Sequence, residues 1–509
     1  MKVEIVTGSG TSFAESEGEK TVLDLLQEQG INFLAPCGGN GKCGKCRVLL
    51  RNEEGLEYHL ACQSKVSDGM KIILDKDDSV MAITDDGFST PYEVDKGAAG
   101  EYGLAIDVGT TTVVCHLHDL ETGKRLASAS CPNPQIVFGS DVISRIDASM
   151  DGKLEAMQEV IDSGLVKLMN EAYAHAGIEF KAPAKGVLAG NTVMQHIAVG
   201  LSPDSIGVNP FTPLTLFGDK HKIDKLCNNI YMMPCVAGYV GGDITSGAVA
   251  VGLARKDKPC VFVDVGTNGE MIVGGKDRMI ACATAAGPAF EGANIECGMP
   301  AAPGGISKVK VEDDHLVLDI IAGVNPVGIC GTGLIDTLAI GLDLGLIDET
   351  GRIQDEDEVE GWAASLIGEV DDQNAIFLSR EDNVYVTQKD VRNIQLAKGA
   401  VCAGIYTLLD TYGITVDDVD ELLVAGGFGF HINVRNAVRI GLYPKELLPK
   451  ARAVGNSAGE GASAVLISQE ARDELAKVTD LCEYLELSTS AKFNEHYVDQ
   501  MMFEDEMDV

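Results

Sequence analysis

Two stretches 157 residues apart share one design, and that duplication constrains the fold more than any other feature of the chain. Cys260-Val-Phe-Val-Asp264-Val-Gly266-Thr267-Asn268-Gly269-Glu270 reads as a short buried strand that ends in a carboxylate and a glycine turn. Leu104-Ala-Ile-Asp107-Val-Gly109-Thr110-Thr111-Thr112 repeats it, aligning Asp107 with Asp264, Gly109 with Gly266 and Thr110 with Thr267. Two similar α/β lobes follow, each presenting one Asp-x-Gly-Thr turn to a cleft between them. Such a turn suits phosphate. Glycine admits close approach of the backbone, successive amide N–H groups form an anion-binding concavity, and the threonines add neutral donors. An aspartate beside phosphate is repelled unless it faces a cation such as Mg²⁺, which prefers oxygen ligands. For either copy alone, an ordinary strand-end turn is an equal reading; two matching copies argue for the site.

The first eighty residues carry a different chemistry. Met1–Val6 reads as a strand, Lys20–Gln29 as an amphipathic helix, and Met70–Leu74 as a closing strand. Between them Cys37, Cys43, Cys46 and Cys62 are spaced C-x5-C-x2-C-x15-C in a glycine-rich loop. Thiolates in that arrangement hold iron–sulfur clusters, and the glycines free backbone N–H groups to bond the sulfurs. A four-cysteine zinc site would show paired knuckles, and only Cys43 and Cys46 make such a pair. A redox disulfide between those two would leave Cys37 and Cys62 unexplained. A 2Fe–2S cluster in a β-grasp ferredoxin is the expectation. The other ten of the fourteen cysteines are scattered singly, as buried reduced thiols are.

With 509 residues there is room for roughly three to four domains of average size. A net charge of −37 argues against nucleic acid and against an anionic membrane surface as partners. No leader pattern opens the chain, and no apolar run approaches the roughly 18 residues of a membrane span, so a cytoplasmic protein is expected. The expected division is a ferredoxin domain at 1–76, a linker at 77–101, lobe I at 102–248 and lobe II at 249–509. An acidic, solvated insertion near 350–383 and an acidic mobile tail from 495 to 509 complete lobe II. The linker either swings or packs as a short fixed element.

Within the body, Ser140 is the expected cap of the helix that follows it, and Arg145 either reaches a phosphate or pairs with Asp141 or Asp147. Asp243 opens a helix after Gly242; it is a cap, or, in a cleft with Asp107 and Asp264, it orients the attacking water or a metal hydration shell. Gly331 starts another helix. Ala425-Gly426-Gly427-Phe428-Gly429 ends a strand in a turn flat enough for adenine or ribose.

Together the Asp107 and Asp264 turns, the Gly242-Asp243 helix and the 425–429 turn resemble the phosphate-1, phosphate-2, connecting and adenosine motifs of the actin/hexokinase/heat-shock-chaperone ATPases. With the N-terminal ferredoxin the chain resembles reductive activators of corrinoid-dependent enzymes over nearly its whole length, including Asn133-Pro-Gln, Asp141-Val-Ile-Ser-Arg145, Gly190-Asn-Thr192 and 283–292. The resemblance implies an α/β multidomain protein: a β-grasp 2Fe–2S ferredoxin followed by a two-lobed actin-like, ribonuclease-H-like duplicated ATPase fold. It implies that ATP hydrolysis drives one electron from the cluster to a Co(II) corrinoid, restoring Co(I). By that resemblance Cys37, Cys43, Cys46 and Cys62 hold the cluster, and Asp107, Asp243 and Asp264 serve Mg-ATP catalytically. Gly109, Thr110, Thr111, Gly266, Thr267, Asn268, Gly269, Glu270, Gly331, Gly426, Gly427 and Gly429 bind the nucleotide. The implied partners are the corrinoid protein of a methyltransferase system and a low-potential ferredoxin-like or flavodoxin-like donor, and a homodimer is allowed. The chain departs from some relatives, since Cys482 alone in the tail leaves no ligands for further clusters, and the linker has little room for an additional domain. An ATP-driven donor to another low-potential enzyme, a small-molecule kinase with an accessory cluster, and a nucleotide-gated binding module are the alternatives.

Overall fold

A computed structural model describes residues 2–7, 10–15, 20–29, 46–52, 55–74, 91–266, 268–426 and 432–504. The N-terminal unit comprises β1 (Lys2–Thr7), β2 (Gly10–Glu15), α1 (Val22–Glu28), β3 (Arg47–Asn52), β4 (Gly55–Leu60) and β5 (Lys71–Ile73). They form one sheet in the order β2-β1-β5-β3-β4, with β1 and β5 parallel at its centre. Helix α1 starts where Thr21 and Asp24 exchange side-chain and backbone hydrogen bonds, which satisfies N–H groups that the first turn leaves free. Its Val22, Leu25 and Leu26 are fully buried with Val3, Ile5 and Ile72 in a core of their own.

The first lobe holds β6 (Tyr102–Val108), β7 (Thr112–Asp119), β8 (Arg125–Pro132), α2 (Val142–Ala148), α3 (Leu154–Ala176), β9 (Lys185–Gly190), α4 (Thr192–Ala198), β10 (Lys220–Ile223), β11 (Cys227–Met232) and α5 (Gly242–Ala250). Its sheet runs β10-β11-β9-β6-β7-β8: an antiparallel meander β6-β7-β8 extended on the other side by parallel β9 and β11.

The second lobe opens with β12 (Cys260–Val265), β13 (Gly269–Gly274) and β14 (Met279–Thr284). A small three-stranded sheet of β15 (Gly305–Glu312), β16 (His315–Ile320) and β17 (Gly328–Ile329) follows, then α6 (Gly331–Asp343). Next come β18 (Ile367–Val370), β19 (Gln373–Ser379), β20 (Val384–Thr387), α7 (Gln388–Tyr412), β21 (Leu422–Ala425), α8 (Val434–Arg439), β22 (Ala451–Gly455), α9 (Ser457–Ile467), α10 (Gln469–Leu481), β23 (Cys482–Tyr484) and α11 (Ala491–Asp499). The main sheet, β22-β21-β12-β13-β14-β23, repeats the first: a meander β12-β13-β14 with parallel β21 and β22 beyond β12. The duplicated turn is therefore the visible part of a duplicated topology.

Between the sheets, α5 and α9 cross in a core that draws Ala105 and Val187 from one sheet and Phe262 and Ile272 from the other. Small residues set that approach. A Cβ on Gly461 would lie 1.8 Å from the Ser246 carbonyl oxygen, and Ser246 Oγ donates to the Ala458 carbonyl at 2.6 Å. Gly461→Val is expected to force α9 off α5 and to lower the melting temperature by several degrees, because neither helix backbone can yield. Calorimetry checks this, and an unchanged melt would show that the crossing tolerates a side chain.

Three expectations need correction. Residues 350–383 are not a solvated insertion: β18, β19 and β20 form a sheet whose Ile367, Ile376 and Val384 join the large lobe II core. The acidic residues before that sheet hid its alternation of apolar residues. The tail is not mobile up to residue 504. Helix α11 packs on α7, Phe503 is buried, and Lys398 Nζ donates to the Met502 carbonyl at 2.5 Å. Residues 505–509 lie outside the described part. Finally, Asp141 rather than Ser140 caps α2, accepting from Ser144 N at 2.8 Å.

Much of the linker, 75–90, also lies outside the described residues, but its end is fixed. Tyr92 Oη donates to the Val249 carbonyl at 2.6 Å beneath the Arg255 guanidinium, and Asp95 Oδ1 accepts from Gln469 N at 2.9 Å.

Among the described residues, no helix is long and apolar enough to cross a membrane.

Candidate functional site

The ends of corresponding strands bring the aspartates together. Asp107 lies opposite Ala189 in the parallel β6–β9 pair, and Asp264 lies opposite Ala425 in the parallel β12–β21 pair. Both carboxylates thus occupy the same place in their sheets, at the carboxyl ends of central strands, where open α/β sheets bind ligands. Asp243 joins them from the first turn of α5, where its Oδ1 also accepts from Ile244 N at 2.9 Å.

These groups repel one another. Burial, then the charge of Asp243, pushes Asp107 up to about 7, against a hydrogen bond from Asn456. Burial, then Asp243 and Asp107, pushes Asp264 up to about 8. Burial raises Asp243 as well, against its backbone hydrogen bonds. Glu270, directly across the β12–β13 ladder from Asp264, is only 7 % exposed, and burial followed by Asp243 and Asp264 holds it well above the usual carboxylate range. Its Oε1 has no hydrogen-bond partner among the described residues. The strongest influences on the four groups are burial, other carboxylates and hydrogen-bond donors, so the cluster is short of positive charge.

Each turn closes on itself: Gly109 N donates to the Thr112 carbonyl at 3.0 Å, and Gly266 N to the Asn268 carbonyl at 3.0 Å. A Cβ on Gly109 would lie 2.7 Å from the Thr112 oxygen, so that turn requires glycine. The first turn is also pinned from behind. Asn133 Nδ2 donates to the Gly109 carbonyl at 2.8 Å, and Asn191 Nδ2 to Thr110 Oγ1 at 3.0 Å. Arg145 does neither thing the sequence suggested. It is completely buried and donates to the carbonyls of Thr110 at 2.6 Å and Gly139 at 3.0 Å, so it fixes the turn rather than reaching into the cleft. Burial lowers its pKa to about 9, with Asp141 and Glu291 opposing, which leaves the guanidinium charged at neutral pH.

Sequence reasoning passed over Glu291. Thr111 Oγ1, in the first turn, donates to Glu291 Oε2 at 2.7 Å, although 180 residues separate them. A Cβ on Gly266, in the second turn, would lie 3.7 Å from Glu291 Oε1. Its signals in the chain were its place in the 283–292 stretch of the resemblance and at the end of a glycine-bounded loop, which reads equally well as a turn.

The remaining expected residues divide. Gly426 has a left-handed φ of 99°, and a Cβ there would lie 2.6 Å from Asp264 Oδ1, so the third turn abuts the aspartates. Asn268 closes the second turn through its carbonyl. Gly269 is a packing glycine, with Thr284 Oγ1 and Val401 where a side chain would stand. Gly331 opens α6, which packs against β15, α8 and the 288–291 turn, one layer from the cluster. Thr267, Gly427 and Gly429 lie outside the described residues.

In the N-terminal unit Cys46 precedes β3 and Cys62 follows β4. The Arg47–Leu60 register and a bond from Ala61 N to the Cys46 carbonyl at 2.7 Å bring them together. Their sulfurs are 3.2 Å apart, too far for the roughly 2.05 Å of a disulfide and close enough to serve one metal centre. Two thiols so placed are half of the four-thiolate donor set that a 2Fe–2S cluster uses. Cys37 and Cys43 lie outside the described residues.

Comparison with known proteins agrees with this arrangement. Residues 4–67 match the 2Fe-2S iron-sulfur cluster binding domain, 102–256 the RACo middle region, and 258–509 the C-terminal domain of RACo, the ASKHA domain. The "Corrinoid activation enzyme RamQ" of Eubacterium limosum is 31 % identical over 96 % of this chain and 97 % of its own length. The "[Co(II) methylated amine-specific corrinoid protein] reductase" of Methanosarcina barkeri is 24 % identical over 79 % of this chain and 77 % of its own. A solved "Reductive activator for corrinoid,iron-sulfur protein" superposes with a TM-score of 0.71 at 29 % identity, covering 98 % of both chains. A ferredoxin-type unit joined to an actin-like, hexokinase-type body is the fold they share, and the chain belongs to the RACo family of reductive activators of corrinoid proteins.

Proposed function

We propose that this protein is an ATP-dependent reductive activator that returns the Co(II) corrinoid of a methyltransferase carrier protein to Co(I). The observation that carries the reading is the carboxylate cluster at the junction of two duplicated sheets, in the same chain as the paired thiols of Cys46 and Cys62.

A deficit of positive charge beside two phosphate-type turns fits Mg-ATP as substrate. Asp107, Asp243 and Asp264, buried together and short of positive charge, would suit a hydrated Mg²⁺ completed by phosphate oxygens. Gly109–Thr111 and Gly266–Asn268 would bind the phosphates, with the 426–429 turn against the adenosine. Asp243, at the start of the crossing helix α5, would orient the attacking water and report hydrolysis to the hinge. The unit carrying Cys37, Cys43, Cys46 and Cys62 would hold a 2Fe–2S cluster. When bound, that cluster would supply the single electron that converts Co(II) to Co(I), with a ferredoxin-like or flavodoxin-like donor as the source of the next electron. The working units are 1–76, the tether 77–101, and the lobes 102–248 and 249–509, acting in the cytoplasm as a monomer or a homodimer.

ATP cannot change the driving force by touching the carrier unit. A ligand shifts an equilibrium only by its differential affinity for two states, so closure of the lobes on ATP must favour the complex in which cobalt is more easily reduced. If the step is uphill by about 100–200 mV, closure must supply about 2–5 kcal/mol. The reduced protein mixed with a Co(II) carrier is expected to give the Co(I) absorbance with ATP and little without it. Full reduction in the absence of ATP would end the coupling.

A further inference from the structure

We propose that Glu291 is a built-in stand-in for a nucleotide phosphate: its carboxylate, bonded to the first phosphate turn, lies beside the second, and a phosphate that binds both turns displaces it. The inference rests on the reading of the cleft as an ATP site and names the residue that controls entry to it.

Three observations converge on the position. Thr111 of the first turn donates to Glu291 Oε2 at 2.7 Å, the kind of bond it would give a phosphate oxygen. The other oxygen, Oε1, comes within 3.7 Å of the place a Cβ on Gly266 would occupy, so the same carboxylate reaches the second turn. Behind the first turn stands buried Arg145, whose charge is partly supported by Glu291. An anion thus already lies between the two turns, held by a threonine and opposite a buried cation, as a bound phosphate would be.

The carboxylate comes from lobe II, on the short turn Pro288–Glu291, whereas Thr111 belongs to lobe I. The contact therefore links the two lobes directly. A phosphate taking the same donors must break that link and also overcome repulsion from the displaced charge a few ångströms away. Removing that charge at an effective dielectric constant of about 20–40 should tighten triphosphate binding roughly tenfold or more. AMP, which lacks the β- and γ-phosphates, should be unaffected.

The test uses full-length protein with its cluster loaded and titrates a non-hydrolysable ATP analogue with Mg²⁺, and AMP, by calorimetry. Glu291→Gln keeps an oxygen that can accept from Thr111 but removes the charge; Glu291→Ala removes both. Both variants are expected to bind the triphosphate analogue at least about tenfold more tightly than the unaltered protein, with AMP affinity unchanged. Unchanged triphosphate affinity would mean that Glu291 only props Thr111, and weakened affinity would mean that it helps to hold the hydrated cation; either overturns the proposal. Failure of the unaltered protein to bind the analogue at all would instead remove the ATP-site reading on which it rests.

Discussion

Asp264→Asn is expected to melt several degrees higher than the unaltered protein at pH 8 without nucleotide, and to lose at least about a hundredfold of ATP-supported cobalt reduction. The two effects share one cause. Asp264 is pushed up to about 8 by burial, then by Asp243 and Asp107, so the fold binds its proton more tightly than the unfolded chain does. A group whose folded pKa is raised contributes stability that is complete below its unfolded value near 3.8 and is lost as pH rises through about 8. The nucleotide-free protein should therefore lose stability between about pH 4 and pH 8 through this cluster, which titrates as a unit. Asparagine keeps the shape and removes one of four clustered carboxylates, so its advantage should be large at pH 8 and small at pH 5. Differential scanning calorimetry at the two pH values reads it. A variant that melts lower than the unaltered protein at pH 8 would show that the aspartate already has a compensating partner. On the proposed reading the loss of activity follows because a hydrated cation bound there would relieve the repulsion among these carboxylates.

Cys62→Ser is the second large effect. A serine hydroxyl is not ionised near neutral pH, so it cannot replace a thiolate ligand, and the variant is expected to lose most of its iron, its visible absorbance and all Co(I) formation. ATP hydrolysis should survive. The N-terminal unit has its own core of Val3, Ile5, Leu25 and Ile72, separate from those of the two lobes, so damage at Cys62 need not spread. Iron and sulfide analysis, an EPR spectrum of the reduced protein and a phosphate-release assay separate the outcomes. A full complement of iron with an unchanged spectrum would exclude Cys62 from the ligands. Loss of hydrolysis along with iron would mean that the two halves fold or act as one.

Local features of the chain were legible where a single segment carries them. The strands bearing Asp107 and Asp264 follow from their apolar residues and the glycine turns that close them. Arg145 was misread because its charge suggested an ionic partner, whereas its buried position makes the backbone carbonyls of Thr110, in the first turn, and Gly139 the partners. The sheet β18–β20 was missed because acidic neighbours outweighed a short apolar alternation that acquires meaning only against the lobe II core. The tail was taken for solvent-exposed chain because Phe503 is one aromatic among acidic residues, and its pocket is made by α7.

By itself the sequence determined the duplication, the glycine turns, the four-cysteine spacing and hence the family, since each is a pattern of residue types and spacings along the chain. Tertiary structure decided that the three aspartates are buried close enough for Asp243 to raise the pKa of Asp107 and Asp264, and that Glu291 meets Thr111. The reason is physical: backbone conformation follows from neighbours along the chain, but repulsion and hydrogen bonding depend on distance in space, which only the packing of the two sheets fixes.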